Sequence, residues 1–144
     1  MNLNHLSGLE LLQHMLTNQV APPPMAKTMN MILVDVGEGF ARFEATANET
    51  HLNPMGNVHG GYASTVLDSV LGCAVHTALT AGESYSTIEL NIKMFRPIPV
   101  GVKLIAESHL LNRSRTLGVS NGKLINEEGK VYAYGSCTCK IFAA

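Results

Sequence analysis

In the stretch Asn53-Pro54-Met55-Gly56-Asn57-Val58-His59-Gly60-Gly61, a histidine and two glycines open onto a long apolar segment that carries one carboxylate, Asp68. The first turn of a helix leaves its backbone N–H groups without internal acceptors, so a glycine pair there offers donors to an anion. A lone carboxylate inside an apolar helix is costly unless it has a task or a partner. Together these features describe a site that handles negative charge developing on an oxygen. Plainer alternatives stand beside this reading. His59 is otherwise a loop histidine satisfied by backbone groups, and Asp68 is otherwise paired to a hydroxyl of Ser64, Thr65 or Ser69, which would also orient it.

Spacing makes the site a shared one. Gly61 and Asp68 are seven residues apart, two helical turns along nearly the same face and about 10 Å in rise. Both cannot touch one carbonyl within hydrogen-bond reach. The helix start of one chain therefore needs the Asp of another, and a two-fold homodimer would hold two equivalent sites at its interface.

The elements that must position these residues follow from periodicity. Leu9, Leu12, Leu16 and Val20, with Ser7 as N-cap, predict a helix over about 7–20 that Pro22-Pro23-Pro24 stops. Met29 to Val36 and Phe40 to Ala47 read as strands around a Gly37-Glu38-Gly39 turn, followed by a polar loop from Asn48 to Val58. One long helix is expected from Gly61 to about Ala81, ended near Gly82. Tyr85 to Phe95, Val102 to Leu111, Leu117 to Ile125 and Val131 to Phe142 read as four strands whose short links imply an antiparallel meander. The long helix shows almost no polar face between Val66 and Leu79, so it is expected to be buried. The class is α+β: an antiparallel sheet of five to six strands wrapped around one long central helix. A single domain over 1–144, with its core over about 29–142, accommodates all of it.

Composition narrows the function. With 144 residues, 46% hydrophobic, 15% charged and a formal charge of −1, the chain reads as globular and not as a nucleic-acid-binding protein. The low charge and positive mean hydropathy lean toward an oligomer. Eight of the ten basic residues lie from Lys93 onward. Among them Arg96, Arg113 and Arg115 are candidates for a phosphate patch, the alternative being solvated strand edges and hairpin tips. No apolar run reaches the ~20 residues that span a bilayer. Met1 to Gln13 has no basic cluster before an apolar core, so a cytoplasmic protein is expected. Cys137 and Cys139 share a strand face and read as small core residues. His51, His76 and His109 show no metal-ligand spacing, and no metal is expected.

Four ordered segments carry a resemblance. Asn53-x-x-Gly56-x-Val58-His59-Gly60-Gly61, then Leu67-Asp68, then Asn91-x-x-Met94-Phe95-Arg96-Pro97, then Arg113-Ser114-Arg115-Thr116 resemble the hotdog-fold acyl-CoA thioesterases, and among them the phenylacetate-degradation (PaaI-like) group. The resemblance runs from about Met29 to Phe142 and leaves the N-terminal helix outside. It implies the hotdog fold and hydrolysis of acyl-CoA thioesters, with aromatic or medium-chain acyl groups. It also implies a dimer whose sheets join, assembled further into a homotetramer as a dimer of dimers. No cofactor is expected, coenzyme A being part of the substrate.

Such a hydrolase polarises a carbonyl and delivers water or a nucleophile to it. Gly60 is the candidate donor through its backbone N–H, and Gly61 allows close approach. His59 positions the loop or donates near the thioester. Asp68 acts as general base for water or as a nucleophile forming a mixed anhydride. By the resemblance, Asn53 holds the thioester or the attacking water and Thr87 orients water. Their alternatives are an Asx-turn residue and an ordinary strand threonine. For coenzyme A the candidates are Arg96, Arg113 and Arg115, with Ser114 and Thr116 as hydroxyl donors. An apolar acyl pocket is expected from Met55, Val58, Tyr62, Val66 and Met94. Two other functions remain. A hydratase or dehydratase of enoyl thioesters places Asp before His on one catalytic element, whereas here His59 precedes Asp68. A non-catalytic acyl-CoA-binding protein would have little use for a carboxylate in the helix.

Overall fold

The structure, a computed structural model, describes residues 2–144; Met1, where the expected domain begins, lies outside them. Helix α1 (Gly8–Leu16) starts at a reciprocal cap: the Ser7 hydroxyl accepts the Glu10 N–H at 3.2 Å and the Glu10 carboxylate accepts the Ser7 N–H at 2.8 Å. α1 ends at Leu16, short of the expected residue 20, because Thr17 caps it and Asn18 turns the chain at φ 61°, so the prolines are not what stops it. Pro24 takes the first position of a second short helix, α2 (Pro24–Thr28), where its fixed φ fits and no N–H is missed.

Strands β1 (Met31–Gly37) and β2 (Phe40–Thr46) form the expected hairpin, and Gly39 at φ 69° makes its turn. The long helix α3 (Gly60–His76) follows, then β3 (Ser84–Met94), β4 (Lys103–Arg113), β5 (Leu117–Ile125) and β6 (Val131–Phe142). All six strands join one antiparallel sheet in the order β1-β2-β4-β5-β6-β3. The predicted meander therefore holds for β4 to β6 and fails for β3, which pairs with β6 and forms an edge. The link from β3 to β4, residues 95–102, has the reach to pass β6 and β5, three inter-strand spacings or about 14 Å.

α3 also ends five residues before the expected Ala81. The Thr77 hydroxyl donates to the Ala74 carbonyl at 2.7 Å and accepts the Gly39 N–H at 2.9 Å, tying the helix end to the first hairpin.

The sheet curls around α3. Tyr62, Val66, Leu67, Val70, Leu71, Ala74 and Val75 are buried against Phe43, Leu104, Ala106, Leu124, Cys137 and Ile141. Each such Val or Leu contributes about 1.5–3 kcal/mol. A second stripe on the same helix, with Ser64, Thr65, Asp68, Ser69, Cys73 and His76, is only half-buried, so the helix is not uniformly apolar. Two buried serines fix which stripe faces where. Ser108 on β4 donates to the Val70 carbonyl at 2.6 Å, and Ser120 on β5 donates to the Leu71 carbonyl at 2.8 Å. With the helix held against the sheet by these bonds, the Asp68 stripe turns toward β3.

Candidate active site

The loop before α3 is folded by Asn53. Its side-chain oxygen accepts the N–H groups of Met55 at 3.0 Å and Asn57 at 3.1 Å, an Asx turn completed by Gly56 at φ 82°. The oxygen of Asn53 is thus committed to shaping the loop, while its amide NH2 has no partner among the described residues.

His59 caps α3. Its Nδ1 accepts the Gly61 N–H at 2.8 Å and its carbonyl accepts the Tyr62 N–H at 2.9 Å. The neutral ring must then carry its proton on Nε2, a donor left for another group. Of the first three N–H groups of α3, only that of Gly60 has no acceptor among the described residues. It lies at the positive end of the helix dipole, on a cavity of about 230 Å³ lined also by Met94, Phe95 and Arg96. A Cβ on Gly61 would sit 2.9 Å from His59 Nδ1, so the cap itself requires a glycine there.

Asp68 takes its partner from β3 and not from its own helix. Thr87 Oγ1 donates to Asp68 Oδ1 at 3.1 Å. The three helix hydroxyls bond backward instead: Ser64 to the Gly60 carbonyl, Thr65 to that of Gly61 and Ser69 to that of Thr65. The plainer alternative, in which one of those hydroxyls pairs with Asp68, is therefore set aside. Thr87 also touches Cys139 Sγ at 3.7 Å, and Cys139 lies 3.7 Å from Cys137 Sγ. Contact with Cys137 and burial push the Cys139 thiol up, so it keeps its proton and can donate it to the Thr87 oxygen. Asp68 Oδ2 has no partner among the described residues.

Gly60 and Asp68 stay apart within one chain, eight residues along one helix and about 12 Å in rise. The arginines divide as well. Arg96 lies beside Gly60 and donates to the Val131 carbonyl at 3.2 Å. Arg113, Arg115 and Thr116 gather beyond the other end of α3, with Ser114 on the same turn. There Arg113 forms an ion pair with Glu83 and donates to the Ala78 carbonyl, so its fork is already occupied. Of the expected acyl-pocket residues, Val58 and Met94 line the cavity at Gly60, and Tyr62 lines a neighbouring one with Gly61 and Thr65. Val66 is instead fully buried in the core, because it falls on the sheet-facing stripe, and Met55 is 80% exposed at the loop tip.

A sequence profile described as the thioesterase superfamily matches residues 55–133. The chain belongs to that family. This thioesterase is 28% identical over 107 residues to acyl-coenzyme A thioesterase 13 of Homo sapiens, covering 74% of this chain and 76% of that one. Among solved structures, a phenylacetic acid degradation-related protein of Ralstonia eutropha JMP134 is 30% identical with a TM-score of 0.82, covering 90% of this chain and 98% of the other. The PaaI protein of E. coli shares the fold at 21% identity, with a TM-score of 0.81 over 99% of this chain and 98% of its own. The fold is accordingly the hotdog, and the protein is a PaaI-type thioester hydrolase. No helix among the described residues is long and apolar enough to cross a membrane.

Sequence reasoning missed one group near the site. Tyr85, two residues before Thr87, lies against Gly72 and His76, respectively about one and two turns further along α3 from Asp68. The signal was present as the row Asp68, Gly72, His76 at helical spacing, with a glycine where a bulky ring must approach.

Proposed function

We propose that this thioesterase hydrolyses acyl-CoA at two equivalent sites of a homodimer, each combining Asp68 and Thr87 of one chain with the Gly60 N–H of the other. One observation carries the reading: among the described residues, α3 offers an N–H without an acceptor at its start and, two turns on, a Thr87-bound carboxylate whose second oxygen has no partner. The two groups suit the two halves of one reaction and are too far apart in one chain to share a carbonyl.

The carbonyl oxygen of the thioester takes the Gly60 N–H, whose place at the helix start stabilises the oxyanion as it forms. Asp68 Oδ2, with Oδ1 held by Thr87, removes a proton from water as the water oxygen bonds the carbonyl carbon. The C–S bond then breaks and the proton passes to the departing thiolate, giving acid and coenzyme A. In the nucleophilic variant Oδ2 itself bonds the carbon, coenzyme A leaves, and water cleaves the resulting anhydride. His59 Nε2–H and the Asn53 amide are donors for the thioester beside Gly60. Arg96, at the same cavity, and Arg115 with Ser114 and Thr116, at the other end of the helix, are the groups for the coenzyme A phosphates. Arg113 supports that turn through Glu83.

The dimer has support in β3. This strand pairs on one side only, and its Ile88, Leu90 and Met94, with Phe95 just beyond its end, are exposed. Such an edge invites a second strand. Antiparallel pairing of two β3 strands about a two-fold axis near their middle carries the Thr87 end of one past the Met94 end of the other. Met94 approaches Gly60, with Sδ 3.1 Å from where a Cβ would stand, and Thr87 holds Asp68, so the two half-sites move together.

Release of free thiol from benzoyl-, phenylacetyl- and straight-chain acyl-CoAs tests the reaction. Turnover of at least one class, absent in Asp68→Asn, is expected; equal turnover by the variant would remove Asp68 from the mechanism.

A further inference from the structure

Under the N-terminal segment lies a cavity of about 380 Å³, inside the size range of small-molecule sites, and its lining is mostly apolar. Its floor is the half-buried stripe of α3 just past the carboxylate, namely Ser69, Cys73 and His76, and one wall is Tyr85. Its roof includes Met15 of α1 and Met25 of α2. Resting on the thioesterase reading above, we infer that this chamber takes the tail of a linear, medium- to long-chain acyl group.

Position supports the assignment. Tyr85 and Thr87 project from the same face of β3. Thr87 meets Asp68, while the Tyr85 ring passes over Gly72, where a Cβ would lie 3.0 Å from its hydroxyl, and stacks tilted at 5.2 Å from His76. The floor of the chamber thus begins at Ser69, the residue after the carboxylate, and runs seven residues along α3 to His76, about 10 Å in rise. A flexible chain attached to a carbonyl at Asp68 would run the length of that floor, whereas a ring joined directly to that carbonyl would leave its far end empty.

Chemistry agrees. The Ser69 hydroxyl is already bound to the Thr65 carbonyl at 2.9 Å. Burial pushes the Cys73 thiol up to about 12 and lowers the His76 imidazole, so both stay neutral and the chamber offers hydrocarbon no competing charge. Methionines on the roof adapt their shape to a chain of varying length. Gly8 seats this roof: its N–H donates to the Leu79 carbonyl at 2.9 Å, and a Cβ there would stand 1.8 Å from the His76 carbonyl oxygen. The roof lies outside residues 55–133 that match the family profile, so chain selection is placed on the N-terminal segment and not on the profiled core.

The test compares full-length wild type, Met15→Trp and Met25→Trp, the second at a half-exposed rim position where folding tolerates bulk. Two readouts are taken: kcat/KM on butyryl-, octanoyl- and dodecanoyl-CoA, and displacement of bound cis-parinaric acid by dodecanoate. In wild type kcat/KM should rise up to about fourfold per methylene that enters the chamber. Either tryptophan should cut the dodecanoyl-to-butyryl ratio by about tenfold or more and weaken parinarate binding to match. A folded tryptophan variant with an unchanged ratio and unchanged parinarate binding overturns the chamber while leaving the thioesterase reading intact. If no CoA ester is hydrolysed, that reading fails, and parinarate binding alone judges the chamber: loss in the variants supports it, and no loss overturns it.

Discussion

Thr87 Oγ1 donates to Asp68 Oδ1 at 3.1 Å, from the edge strand β3 to the central helix, and this one bond leaves Oδ2 as the carboxylate oxygen without a partner among the described residues. Oδ1 is occupied by a hydroxyl that leans on the buried Cys139, so in the proposed mechanism Oδ2 is the oxygen presented to water or to a carbonyl. The helix gains a carboxylate oriented by a neutral hydroxyl.

Asp68→Asn keeps the shape and the Thr87 contact but removes the proton acceptor. Thioester turnover is expected to fall by about 10²–10⁴-fold, the range for losing a positioned base. Circular dichroism and sedimentation should match wild type. Residual turnover near wild type would show that another group does the work.

Thr87→Val removes the hydroxyl and keeps the β-branched shape that suits a strand. We expect kcat to fall about tenfold or more while KM changes little, because the carboxylate loses orientation and not substrate contact. Thr87→Ser should restore most of kcat. A purely structural threonine would give a valine variant with lowered stability and unaltered kcat.

Glu83 predicts a pH-dependent stability. Hydrogen bonds from Arg113, then from Thr80, hold its carboxyl at about 2 against an ordinary 4.5. A carboxyl depressed on folding stabilises the fold above its unfolded value, and that contribution fades as pH falls from 4.5 toward about 2. Arg113→Met should therefore lower the urea midpoint at neutral pH, with a gap from wild type that narrows on acidification. A gap of constant size across that range would mean that the bond from Arg113 to the Ala78 carbonyl, not the ion pair, supplies the stability.

Much of this was legible in the chain. β5 and β6 were bounded as found, and Ser7, the first hairpin and the Gly60–Asp68 separation followed from local rules that the fold obeys. What escaped was non-local. β3 pairs with β6 instead of β4, because link length permits a crossing that hydrophobic alternation does not announce. Thr87 rather than Ser64, Thr65 or Ser69 holds Asp68, since helix hydroxyls find their own carbonyls first. Arg113 looked like a phosphate ligand beside Arg115, yet Glu83, thirty residues earlier, claims it. Val66 looked like pocket lining, but the rotation of α3 fixed by Ser108 and Ser120 sends it into the core.

The shared site is tested most directly by mixing two inactive chains. Gly60→Pro removes the donor at the first position of α3, where proline is well accepted, and His59 at φ −63° and ψ 138° already has the backbone that a following proline requires. Asp68→Asn removes the acceptor two turns on. Each homodimer should be inactive, whereas a purified heterodimer contains one intact site and should recover roughly half of wild-type turnover. Folded heterodimers without recovery would contradict a site built from two chains.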